Sequence, residues 1–229
     1  METEEIIEVK MSVFSRIKGI FTNPVIVFED IKKIPDVLKP TLILMIIFIA
    51  TYLIQLSVIR ELIIEQLKTA MEANASYQIT ESLLKKAIIS GLFAGTIFFG
   101  IIPIIKGMIV HGVSLINSGK GKLKATISVF VYSYFIVALG QIILAILKII
   151  TGNAYITLSP AIFFSMESNT LLYALLSYFD IFVVIYLVVT VIGIKIVQEL
   201  TTLKAAIAVL IPSGIYMLLI TVPMLLGLN

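Results

Sequence analysis

KGMIVHGVSLINSGKGKLKATISVFVYSYFIVALG, residues 106–140, is an apolar run that descends to a small basic loop and an apolar run that returns. The loop holds Asn117, Ser118, Gly119, Lys120, Gly121, Lys122, Leu123 and Lys124. Glycines and cations at such a reversal make a tight turn at a membrane surface, and excess Lys/Arg marks the cytoplasmic side. The hairpin therefore sets which way the chain faces.

The rest of the composition agrees with a lipid environment. Of 229 residues, 59% are hydrophobic and 14% charged, against roughly 45–50% and ~25% in soluble domains. One soluble core cannot hold that excess, so lipid is the expected solvent. With no cysteine and the single histidine His111, the chain has no disulfide and no His pair or HExxH motif for a zinc site. No cofactor, metal or nucleic-acid partner is expected. Residues 1–39 are too long and too acidic at their start for a cleavable signal peptide.

Outward from the hairpin, five runs satisfy the rule of ~20 apolar residues per span. They cover residues 38–59, 87–110, 125–150, 171–192 and 205–226. The expected fold is an all-α polytopic membrane protein: a five-span domain, residues 38–229, after a cytoplasmic segment, residues 1–37. Within that segment residues 1–9 are acidic and frayed. Phe14, Ile17 and Phe21 then recur at helical spacing, with Arg16 and Lys18 on other faces. Asn23-Pro24 reads as a capped helix start and Pro35 as a stop. Two short amphipathic helices of this kind suit the membrane interface, or pack as a solvated pair on the bundle. Residues 60–86 and 151–170 read as connections on the far side.

Cations divide unequally between the two sides. Lys10, Arg16, Lys18, Lys32, Lys33, Lys39, Lys106, Lys120, Lys122, Lys124, Lys195 and Lys204 lie on the hairpin side, twelve in all; Arg60, Lys68, Lys85, Lys86 and Lys148, five, lie opposite. The N-terminus is expected in the cytoplasm and the C-terminus outside.

Asp180, in LLSYFDIFVVIYL, falls near the centre of the fourth run. An ionised carboxylate there costs at least ~2.5–3.5 kcal/mol, so it should face the bundle or a wet cavity. Gln141 lies at similar depth in the third run and is the leading partner, with Lys148 the runner-up; Tyr132, Tyr134 and Tyr178 are within reach. The set reads as a proton, ion or substrate site, or as a polar clamp between helices. Lys106 and His111 lie near the cytoplasmic end of the second run, where Lys106 snorkels and His111 is a pH-responsive group or a capped one. With Lys120, Lys122 and Lys124 they are the expected contacts for anionic lipid headgroups or a protein partner. The loop is no P-loop, because Ser114 stands where GxxxxGK needs its first glycine. Gly91, Gly95, Gly100, Pro103 and Gly107, and Pro212, Gly214 and Pro223, read as close-packing or kink positions. Asn74-Ala75-Ser76 matches the glycosylation pattern.

The hairpin also resembles the Yip (Ypt-interacting protein) family, prokaryotic type. Its members show a His near the end of span two, a Gly-rich basic loop and a Lys-x-Thr step, here His111, Gly119-Lys120-Gly121 and Lys124-Ala125-Thr126, with Tyr132 and Tyr134 beyond. Phe21-Thr22-Asn23-Pro24, Tyr178-Phe179-Asp180-Ile181-Phe182 and Leu203-Lys204-Ala205-Ala206 look like the family's entry segment, span-four step and final turn. The Asp-Leu-Tyr-Gly-Pro motif of eukaryotic members, which act in vesicle traffic and bind Rab-type GTPases, is not in the sequence. The resemblance implies five spans and a non-enzymatic, membrane-organising or partner-binding scaffold in the cell membrane. A small secondary transporter or channel using Asp180 is the alternative.

Overall fold

The computed structural model describes residues 11–72, 80–163 and 176–225. All regular elements among them are helical: α1 (Val13–Thr22), α2 (Pro24–Lys33), α3 (Leu38–Ile54), α4 (Leu56–Glu72), α5 (Glu81–Ile116), α6 (Leu123–Thr151), a 3-10 turn (Pro160–Phe163), α7 (Ile181–Gln198) and α8 (Thr202–Leu225). The protein is an all-α polytopic membrane protein. Four helices, α5 to α8, are each long and apolar enough to cross a bilayer, and the bent pair α3–α4 makes a fifth when its two helices are counted as one span. Residues 1–10, Asn74-Ala75-Ser76 and the start of the expected fourth span lie outside the described residues.

Central to the bundle is α6, against which α1, α2, α3, α5 and α7 all pack. Small residues permit the closest approaches. A Cβ on Gly91, Gly95 or Gly100 would come within 3 Å of Tyr52, Phe48 or Met45 of α3, and one on Gly107 within 2.8 Å of the Ile127 backbone. The glycine-rich face of α5 is thus a packing surface. The same contacts run α3 antiparallel to α5, with Tyr52 Oη donating to the Ile88 carbonyl at 3.0 Å.

Helix α3 ends earlier than the hydropathy run. It stops at Ile54 with Gln55 as its C-terminal cap residue, and α4 departs at 74°. At 17 residues it spans roughly 25 Å, the short limit of a membrane crossing. Helix α5, with 36 residues, is roughly 54 Å long, well beyond the ~30 Å hydrocarbon layer. Since Leu38 shares a cavity wall with Ile104, the last turns of α5 project past the start of α3. The N-terminal helices pack on α6 and α7. Val27, Phe28 and Ile31 of α2 and Ile20 of α1 are at most 1% exposed, each burial contributing roughly 1.5–3 kcal/mol. Phe28 seats on Gly193, where a Cβ would meet its ring at 3.0 Å.

Phe14 and Phe21, by contrast, face outward, Phe14 being 74% exposed, while Ile17 between them packs against the core. The buried face of α1 carries Arg16 and Ile20. Arg16 lies on a different face from Phe14, as expected, and its side chain is fully buried.

Candidate functional site at the basic end

Two polar assemblies hold the end of the bundle where the hairpin lies, and a third lies deeper among the spans. The first centres on Arg16. Its Nε and Nη2 both lie 2.6 Å from Asp30 Oδ2, its Nη1 donates to Asp36 Oδ1, and its Nη2 donates to the Ile34 carbonyl at 2.8 Å. Tyr132 Oη of α6 donates to the Asp36 carboxylate at 3.0–3.1 Å, and Ser128 Oγ to the Asp36 carbonyl at 2.8 Å. Burial opposes the guanidinium's charge, but Asp30 and Asp36 outweigh it and hold its pKa above the ordinary value. The fork of Arg suits two carboxylates at once, and the result ties α1, α2 and the 34–37 link to α6. On the surface, Lys32 pairs with Glu199 at 2.9 Å and holds the Glu199 carboxyl below its ordinary range.

The second assembly anchors the basic loop. Gln198, fully buried at the end of α7, accepts from Gly121 N–H at 2.9 Å and donates from Nε2 to Thr126 Oγ1 at 2.6 Å and to His111 Nδ1 at 2.9 Å. Since Nδ1 accepts, the neutral His111 carries its proton on Nε2. The Gln198 carbonyl takes Lys120 N–H at 3.1 Å, and Lys204 Nζ donates to the Asn117 carbonyl at 3.1 Å. The loop glycines are there for close approach: a Cβ on Gly121 would stand 2.1 Å from the Val197 carbonyl oxygen. Only Ser118, at φ 71°, is left-handed in this turn.

The third is aromatic. Lys106 does not snorkel outward as expected; its ammonium lies 4.4 Å from the Tyr216 ring centre and 5.8 Å from that of Tyr186. Tyr186 stacks edge-on with Tyr134 at 5.7 Å, and its buried hydroxyl has no hydrogen-bond partner among the described residues.

Among the described residues, the expected central site around Asp180 is not assembled. Asp180 is the N-cap of α7, accepting from Phe182 N–H at 2.7 Å. It precedes Gln198 by eighteen residues, or roughly 27 Å of helix, so it stands toward the far end of the span and not at its centre. Phe182 beside it packs on Gly140, while Gln141 faces a different neighbourhood, a small cavity shared with Thr51, Tyr52, Gln55 and Phe99. That cavity lies where α3 ends. Tyr132 belongs to the Arg16 assembly, Tyr134 stacks on Phe99 and Tyr186, and Lys148 lies in the last turn of α6. Lys120, Lys122 and Lys124 are exposed, as expected. Sequence reading missed Asp30, Asp36 and Gln198. Asp30 and Asp36 lie 14 and 20 residues from Arg16, and Gln198 lies 77 from Gly121, beyond any local periodicity. Among the described residues, no group of His, Asp and Glu is placed to hold a metal ion.

The Yip1 domain model matches residues 18–223, from within α1 to near the end of α8. Neither the curated proteins nor the solved structures gave a match. The matched region covers nearly the whole chain, Arg16 lying two residues before its start, and on that match the protein belongs to the Yip1 domain family.

Proposed function

We propose that the protein is a non-enzymatic membrane scaffold, organising the bilayer or binding a partner protein at its basic end. One observation carries this reading. The fully buried Arg16 fastens α1 and α2 to α6, so the N-terminal helices, the basic loop and the final turn form one fixed platform. Its outer face keeps Phe14, Phe21, Val25 and Ile26 exposed, an apolar patch beside the membrane boundary of the kind used for contact with a partner or a headgroup layer. We take this platform as cytoplasmic, on the twelve-to-five division of cations. The C-terminus then lies outside, with residues 1–37 as a cytoplasmic segment on a five-span domain in the cell membrane.

The runner-up is a small transporter or channel. Asp180 supports it less once read as a helix cap, whereas Lys106 among tyrosines at the α5–α7–α8 junction supports it more, since ionisable residues within spans often mark transport paths. A photo-crosslinking amino acid at Ile26, with Phe98 as a lipid-facing control, separates the two. The scaffold gives a discrete protein adduct at Ile26 and lipid adducts alone at Phe98. Lipid adducts at both positions, with ion flux into proteoliposomes abolished by Lys106→Met or Asp180→Asn, would reject it.

A further inference from the structure

A cavity of about 420 Å3 opens between the starts of α3 and α6. Lys39 and Lys124 bring two cations to it from separate elements, while Val37, Leu38 and Ile104 make its walls apolar. Both lysines are exposed. Asp36 also lines it, but its carboxylate is already engaged by Arg16 and Tyr132, so it does not neutralise the two lysines. The cavity lies at the start of α3, the first apolar helix of the bundle. From Leu38 an exposed stripe, Leu42 and Ile46, continues along α3 at four-residue spacing, one face of a helix. The occupant must therefore present an anionic group to the lysines and an apolar body to the stripe. Neither α3 nor α6 has a side-chain cap at its first turn, and the open N–H groups there add partial positive charge.

We infer that this cavity binds the phosphate of one anionic phospholipid, whose acyl chains lie along α3. The proposal deepens the reading of the basic end as a membrane-contact platform, and it names a site apart from the exposed Lys120 and Lys122. A soluble anion satisfies the lysines but leaves the apolar wall uncovered; a phospholipid satisfies both.

Native mass spectrometry of the full-length protein in detergent tests it, with phosphatidylglycerol and phosphatidylcholine of matched chains as probes. Wild type is expected to retain one phosphatidylglycerol in preference to phosphatidylcholine. Each lysine near an anionic lipid is worth roughly fivefold, so Lys39→Gln with Lys124→Gln should weaken retention about thirtyfold. Arginine at both positions should restore it, and Lys120→Gln with Lys122→Gln should change it less than about threefold. Equal retention by wild type and the Lys39/Lys124 variant overturns the site. So does equal retention of the two lipids by wild type, or an equal loss in the Lys120/Lys122 variant. Displacement by glycerol phosphate at concentrations matching the lipid overturns the lipid as occupant. None of these results bears on the Ile26 adduct, so the scaffold reading fails or stands separately.

Discussion

Arg16→Leu should release the N-terminal helices while leaving the spans intact. In the native protein the guanidinium is fully buried and faces two carboxylates, Asp30 and Asp36, which are 15% and 16% exposed. Removing one partner of a buried charge set leaves the others uncompensated, at about 3–5 kcal/mol. The residual exposure of the aspartates lets water relieve part of that, which places the cost near the low end, about 3 kcal/mol. Local opening of α1 and α2 then becomes roughly 150-fold more frequent, read directly as faster amide hydrogen exchange. Exchange measured by mass spectrometry on protein in nanodiscs should accelerate by that factor over residues 13–33 and stay unchanged in α6 around residue 140. Arg16→Leu combined with Asp30→Asn and Asp36→Asn removes the whole charge set, and its exchange should return to within about tenfold of wild type. Exchange within threefold of wild type in the single variant would refute the reasoning. A combined variant as labile as the single one would show that shape, not charge, holds the helices.

Gly121→Ala forces a methyl against the Val197 carbonyl, and the overlap should displace the loop, lowering the unfolding midpoint in a detergent titration and exposing residues 117–122 to protease. Gln198→Ala leaves the Gly121 N–H, Thr126 and His111 without their shared partner and should cost about 1–3 kcal/mol, measured as the shift in SDS unfolding. Asp180→Ala removes the α7 cap at about 1 kcal/mol, whereas Asp180→Ser or Asp180→Asn should retain it; a loss of activity with Asp180→Asn at unchanged stability would instead reveal a titrating role. Lys106→Met exchanges a desolvated cation and its ring contacts for an apolar chain of similar length, so unfolding should move by no more than about 1 kcal/mol.

Hydropathy and the hairpin made the helical membrane class and the five apolar runs readable, because lipid requires long uninterrupted apolar helices. The errors came where one side chain decides an end. Helix α3 ends at its cap residue Gln55 and the chain turns by 74° there, a break that hydropathy averages over. Asp180 precedes Ile181, Phe182 and Val183, the pattern of an N-cap before an apolar helix, but a long window read it as interior. Arg16 was readable as a cation off the Phe14 stripe, and its four-residue spacing to Ile20 places both on one face; that face is the buried one, where Asp30 and Asp36 receive the guanidinium. Without Arg16 the cations still divide eleven to five, so the orientation reading survives its removal. The loop glycines were legible as a turn, but their closeness to Val197 and Gln198 depends on a helix end far along the chain.

Sided cysteine labelling tests most directly whether the N-terminal helices, the basic loop and the final turn share one face. The chain has no native cysteine, and Ser15, Lys120, Thr202 and Asn153 are all exposed. Single cysteines at these positions are treated with a membrane-impermeant maleimide in sealed inside-out and right-side-out vesicles. The expected result is that positions 15, 120 and 202 react from the cytoplasmic side and position 153 only from the other. Reaction of position 15 from the same side as 153, or of 120 and 202 from opposite sides, would contradict a single platform at the basic end.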